Sequence, residues 1–275
     1  MNAAPRDASV FIDELLHDLA GGDRTTDAVL PPDATLTAEL RARQPLVPCG
    51  LVLAERLIRA LSLDVRCEWR ASDGVPLKQP TTLGTLTGCA RDILALERTL
   101  LNALQHLSAI ATETHRWVRQ LPENVVLLDT RKTTAGLRAW QRYAVRCGGG
   151  RNHRYNLADT IMIKDNHIRA VGDLETCVRR AAEHRHPVRI ICEVESLTAA
   201  RVAVSAGAHG LLIDNVAPDG WPAYWDALPD DVTLEFSGGL TFDDLPAIPT
   251  PPRTIWISTS RTVIGAPPVD IGLDA

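Results

Sequence analysis

The sequence predicts an α/β protein: an incomplete α/β barrel of about six strands, preceded by an α+β domain built on an antiparallel sheet. Three observations predict it. After Pro122, six short apolar runs recur at helix-length intervals: VVLL (125–128), TIMI (160–163), RIICEV (189–194), GLLI (210–213), TLEF (233–236) and TIWI (254–257). Apolar strands alternating with helices indicate a parallel sheet covered on its outer face. Between Ala34 and Gly88 the texture differs, with extended stretches such as TLTAELRAR, DVRCEWRA and TTLGTLTG alternating around turns. Finally, every late apolar run leads into polar residues, as strands do at the mouth of an α/β barrel.

Taken in order, residues 8–19 carry helical periodicity and run into the turn-rich GGDRTTD. The extended stretches follow, with a turn at SDG (72–74) and one helix over 51–61 between them. Ile93, Leu94, Leu100, Leu101, Leu104, Leu107 and Ile110 then share one broad face of a long helix that joins the two halves without a flexible linker. Hydrophobic residues make up 45% of the 275 residues, enough for a substantial core. No apolar run approaches the ~18 residues a membrane span needs. Met1 to Asp23 is acidic and amphipathic rather than basic-then-apolar, so the cytoplasm is the expected location. Cys49, Cys67, Cys89, Cys147, Cys177 and Cys192 form no C-x-x-C pair and read as free thiols, not a structural zinc site. His184 and His186 form an H-x-H that can hold a metal, against the plainer reading of a polar helix end before Pro187.

The net charge of −5 argues against nucleic acid as the main partner. Its distribution is more informative. From Arg131 to Arg169 there are nine Lys/Arg and two acids, so a basic island sits in an otherwise acidic chain and suggests a focused anion pocket. Arg138, Arg142 and Arg146, spaced by four, fit a solvated helix face. The strand ends supply the rest: Asp129 to Lys132, Lys164 to His167, Glu193 and Glu195, Asp214 and Asn215, Ser237 to Gly239, and Ser258 with Thr259. Arg131, Lys132, His153, Arg154 and Lys164 are cationic or can become so, and suit carboxylate or phosphate. Glu193 and Asp214, on adjacent strands, suit a Mg²⁺ that keeps waters and bridges to substrate phosphates. CGGGRNHR (147–154) lets backbone approach a ligand closely, or simply caps a helix. Ser237-Gly238-Gly239 can open the next helix towards a phosphate, or be a bare strand–helix turn.

These segments, in order, resemble the quinolinate phosphoribosyltransferase family: DTRKTTAGLR (129–138), YAVRCGGGRNHR (143–154), DTIMIKDNH (159–167), EVES (193–196), LLIDN (211–215) and LEFSGG (234–239). GGDRTTD, ERTLLNALQHLSAIAT (97–112) and VDIGLD extend the likeness over nearly the whole chain. The resemblance implies the type II phosphoribosyltransferase architecture. Its expected division is an N-terminal α/β sandwich domain at 1–112, a C-terminal α/β barrel catalytic domain at 113–268, and a 269–275 tail packing back on the first. It implies transfer of phosphoribose from 5-phosphoribosyl 1-pyrophosphate to quinolinate with decarboxylation, and a homodimer with shared active sites.

Carried over by motif, Arg98 would enter the partner's site. Arg131, Lys132, His153, Arg154 and Lys164 would line the quinolinate pocket, with Lys132 and Lys164 also catalytic. Glu193 and Asp214 would act at the ribose and bind Mg²⁺–pyrophosphate, and Ser237, Gly238, Gly239 and Ser258 would surround the 5-phosphate. Two departures stand out. Ala135 replaces the family's usual proline, and ISTSRTVIGAP (257–267) lacks its glycine-alanine-leucine-threonine run, leaving Arg261 as a candidate phosphate contact. Four prolines in DDLPAIPTPP should also cut short the helix that precedes this loop. Competing readings are a paralogue acting on another pyridine carboxylate, a Schiff-base aldolase built on Lys164, and a non-catalytic partner subunit.

Overall fold

The computed structural model describes residues 3–184 and 188–275. The chain opens with helices α1 (Ser9–Asp18) and α2 (Arg24–Val29), then strand β1 (Thr35–Ala42), helix α3 (Leu51–Leu61), strands β2 (Val65–Trp69) and β3 (Thr81–Cys89), and the long helix α4 (Ala90–Val118). Strand β4 (Val125–Leu128) follows, then α5 (Arg138–Cys147), β5 (Ile161–Ile163), α6 (Asp165–Val171), α7 (Leu174–Glu183), β6 (Ile190–Val194), α8 (Leu197–Ser205) and β7 (Gly210–Asp214). The last elements are α9 (Pro222–Ala227), β8 (Thr233–Ser237), β9 (Ile255–Ser258), the one-turn α10 (Arg261–Ile264) and β10 (Ile271–Asp274).

These elements group into two compact units, and neither is continuous in sequence. One comprises residues 1–116, 133–149 and 262–275; the other comprises 117–132 and 150–261. The first holds an antiparallel sheet in the order β10-β1-β3-β2, with β10 registered against β1 from Glu39↔Asp274 to Ala42↔Ile271. Its core joins Leu40, Leu53, Leu57 and Leu86 to Ile93, Leu100, Leu104 and Leu107 of α4, the apolar face read from the sequence. Helix α5 also belongs here, although the sequence assigns it to the barrel. Trp140 and Tyr143 bury their rings in this core, and Arg142 is buried too, so α5 is not the solvated face its arginine spacing suggests. The cause is that Trp140, Tyr143, Ala144 and Val145 form an apolar stripe that outweighs the charges around it.

The second unit is a six-stranded parallel sheet in the order β4-β9-β8-β7-β6-β5. Each strand coincides with one of the six apolar runs. Strands β4 and β5, at the two ends of that order, do not pair with each other, so the barrel is incomplete. Alternation sorts the side chains. Cys192, Val194, Leu211, Ile213, Leu234, Phe236, Ile255 and Ile257 join the core beneath the helices, where Trp221 stacks on Phe236 at 4.2 Å between ring centroids. The opposite parity, including Met162, Glu193, Leu212, Asp214, Glu235, Ser237 and Ser258, lines a cavity. The proline-rich segment after β8 forms only a 3₁₀ stretch, Phe242–Ala247, in place of a full helix, as Pro246 and the prolines beyond it dictate.

Candidate active site

The cavity measures about 380 Å³ and lies wholly within the second unit. It is lined by Thr130, Arg131 and Lys132 after β4, by His153 and Arg154, and by Lys164 after β5. Glu193, Asp214, Glu235, Ser237 and Ser258 come from β6 to β9. Strand register explains the convergence. Asp214 is opposite Ser237, which is opposite Ser258, so three strand ends form one row. One layer deeper, Glu193 is opposite Leu212, which is opposite Glu235. The result is segregated: the end strands β4 and β5 and the 150–154 loop bring cations, while the inner strands β6, β7 and β8 bring carboxylates.

Asp129 organises the cationic loop. It is fully buried, and its oxygens accept from Asn152 Nδ2 at 2.5 Å and His153 N at 2.8 Å. A parallel bridge between Leu128 and Arg151 seats the same loop beside β4. Arg154 donates from Nη1 to Thr160 O at 3.0 Å. Burial, then the charge of Arg131, holds its guanidinium below the ordinary arginine value. At the other end of the sheet, Lys164 Nζ is ion-paired with Glu193 Oε2. The carboxyl of Asp214 is raised from the ordinary aspartate value, first by desolvation and then by the charge of Glu193. Asn215, in left-handed backbone at φ 58°, donates from Nδ2 to Asp214 Oδ2 at 2.8 Å. A Cβ on Gly238 would lie 2.3 Å from Asn215 Oδ1 and 2.7 Å from Asp214 Oδ1, so the turn after β8 must be bare where it passes that carboxylate.

Three comparisons extend this geometry to known proteins. The model of the quinolinate phosphoribosyl transferase C-terminal domain matches residues 110–274, and that of its N-terminal domain matches 23–108. The chain belongs to the quinolinate phosphoribosyl transferase family. It is 38% identical to a probable nicotinate-nucleotide pyrophosphorylase [carboxylating] of Bacillus subtilis, over 84% of this chain and 81% of that protein. It is 36% identical to the nicotinate-nucleotide pyrophosphorylase [carboxylating] of Mycobacterium leprae, over 94% of each. The structure of the nicotinate-nucleotide pyrophosphorylase from Francisella tularensis superposes with a TM-score of 0.92 at 32% identity, covering 99% of this chain and 98% of that one.

Of the residues expected from the resemblance to the quinolinate phosphoribosyl transferase family, Arg131, Lys132, His153, Arg154, Lys164, Glu193, Asp214, Ser237 and Ser258 all line the cavity. Gly238 and Gly239 do not line it; they follow Ser237 with φ of +88° and +67°. Arg98 is exposed on α4, in the first unit, and Arg261 is exposed at the start of α10; neither lines the cavity. His184 ends α7, whereas its proposed metal partner His186 lies outside the described residues. No group of three or more metal-ligating side chains occurs among the described residues. The sequence reading missed Glu235. It was hidden inside the apolar run TLEF, and the signal was its parity: two residues before Ser237, it had to share the cavity face. His153, grouped in the sequence with residues that are cationic or can become so, has both ring nitrogens engaged, Nε2 at 3.0 Å from Glu235 Oε2 and Nδ1 accepting from Arg154 N at 2.6 Å.

Proposed function

We propose that this chain catalyses the carboxylating nicotinate-nucleotide pyrophosphorylase reaction. Quinolinate and 5-phosphoribosyl 1-pyrophosphate give nicotinate mononucleotide, pyrophosphate and CO₂. The observation that carries the reading is the two-sided cavity, cations from the end strands and loop facing carboxylates from the inner strands. Arg131, Arg154 and Lys132 orient the two carboxylates of the acceptor, since several charge-assisted hydrogen bonds hold a dianion that a neutral pocket would release. The C1–pyrophosphate bond of the donor breaks with its electron pair, and the pyridine nitrogen forms the new bond to C1. CO₂ then leaves, the electron pair of the broken ring–carboxylate bond stays on the ring carbon as a carbanion stabilised by the adjacent cationic nitrogen, and that carbon takes up a proton. Lys164 and Lys132 neutralise the departing pyrophosphate, and Ser237 and Ser258 with the bare turn at Gly238 and Gly239 meet the 5-phosphate.

Glu193 and Asp214 fit a Mg²⁺ site of the sparsely coordinated kind. The charge of Glu193 helps to raise the proton affinity of Asp214 on the neighbouring strand, and a cation between them would relieve that repulsion. Bound there with pyrophosphate, Mg²⁺ would supply charge neutralisation for the leaving group. We read the assembly as a homodimer in which Arg98 completes the partner's cavity. The free thiols of all six cysteines suit a reducing compartment, for which we take the cytoplasm. No helix among the described residues is long and apolar enough to cross a membrane. The ion pair of Lys164 with Glu193 engages the amine a Schiff-base aldolase would need free, which disfavours that alternative.

The test is pyrophosphate release. Release that needs quinolinate, and does not occur with nicotinate or without an acceptor, supports the reading; release with nicotinate instead favours a paralogue.

A further inference from the structure

Glu235 has no part in the reaction as described so far, yet its position is tightly specified. Strand alternation turns it to the cavity, register sets it between Leu212 and Trp256, and it is only 4% exposed. Its Oε2 is 3.0 Å from His153 Nε2, and its Oε1 is buried with no hydrogen-bond partner among the described residues. A buried carboxylate this confined is costly unless it does something for its neighbours.

The neighbour's other nitrogen says what. Arg154 donates its backbone N–H to His153 Nδ1 at 2.6 Å. A backbone N–H can only donate, so Nδ1 is the bare acceptor and the ring proton sits on Nε2. That proton points at Glu235. Without an acceptor there, the Nε2–H is left buried without its partner and only the N–H of Arg154 favours this tautomer, since the alternative would set an N–H of the ring against it. The loop is already hung from Asp129 through Asn152 and His153 N, and the guanidinium is tied to Thr160 O. The hydrogen bond to Nδ1 holds the arginine backbone between those two anchors.

We propose that Glu235 is a positioning residue: by accepting the Nε2–H of His153 it holds the tautomer whose Nδ1 fixes Arg154 for the acceptor's carboxylates. The ring is thus a structural strut, with both nitrogens committed, and not a proton donor to the substrate. The inference rests on the reading that Arg154 meets the acceptor.

The experiment has two independent readouts. In ¹⁵N-labelled protein without substrates, the His153 ring, assigned against the spectrum of His153→Gln, should show the Nε2–H tautomer at neutral pH. Glu235→Leu should lose that tautomer and raise the KM for quinolinate about tenfold or more, the usual scale for losing such a supporting contact. The KM for the phosphoribosyl donor should barely change. Glu235→Gln, whose amide oxygen still accepts from Nε2–H, should keep both the tautomer and the quinolinate KM; it also carries the test should Glu235→Leu fail to fold. An Nδ1–H or doubly protonated ring in the wild type, an unchanged Glu235→Leu, or a Glu235→Gln that loses the tautomer would each overturn the proposal. Because the spectrum needs no turnover, a wild type with the expected tautomer but no quinolinate-dependent release would refute the proposed reaction and leave the tautomer assignment standing.

Discussion

Arg131 and Arg154 are close enough for the charge of one to lower the proton affinity of the other. Two guanidiniums held together in a part-buried wall are destabilising on their own and are relieved by a dianion. Replacing either with alanine should therefore raise the quinolinate KM more than that for the donor, on the order of tenfold or greater for each lost charge-assisted contact. Near-normal turnover and quinolinate affinity in both variants would refute their role. Gly238 makes a different prediction. Its φ of +88° and its closeness to Asn215 and Asp214 leave no room for a methyl group. Gly238→Ala should displace Asp214 and cut turnover on the order of a hundredfold, with a fall in melting temperature from the strained turn. Unaltered kinetics would show that Asp214 tolerates the shift. The charged members of this site were legible because charge is conspicuous at the end of an apolar run. Glu235 was not, because a carboxylate within such a run declares itself only once the facing direction of each strand position is known.

Helix and strand positions were legible where one period dominates. The six parallel strands fall on the six apolar runs because the core-facing positions of each are filled by Val, Ile, Leu, Phe or Cys. Helix α5 was misread because three arginines at intervals of four are more visible than the Trp140 and Tyr143 stripe beside them. Capping is similarly local. Asp173 caps α7 by accepting from Thr176 N at 2.8 Å, and its hydrogen bonds with Thr176 hold its carboxyl below the ordinary aspartate value. A carboxylate depressed in the folded state stabilises it above the unfolded value of about 3.9 and loses that contribution as pH falls through the folded one. Asp173→Asn keeps an acceptor that does not titrate. On acidification from about pH 5 to about pH 3, the wild type should therefore lose stability more steeply than the variant in urea unfolding. Parallel pH curves would remove Asp173 from the acid response.

Of the returns that interleave the two compact units, the sequence reading had only that of the 269–275 tail to the first domain and not that of 133–149. The sequence supports a boundary near residue 112, but the chain re-enters its first unit at 133–149 and again at 262–275. Local periodicity carries no information about such returns. The shared-site homodimer is testable at this level. Co-expressed Arg98→Ala and Lys164→Ala subunits, each inactive alone, should recover about a quarter of wild-type activity, because half of the dimers are mixed and each mixed dimer has one intact site. No recovery would place Arg98 outside its partner's site. The pairing of β10 with β1 has a consequence for how the protein is made. Arg43 and Asp274, 231 residues apart, are ion-paired across that seam, and Leu40 is opposite Leu273. During synthesis, β1 leaves the ribosome long before its partner exists, so one edge of the N-terminal sheet stays open while the whole second unit is translated. The second unit's parallel sheet can therefore be completed first, and the part of the protein made earliest is the last to close.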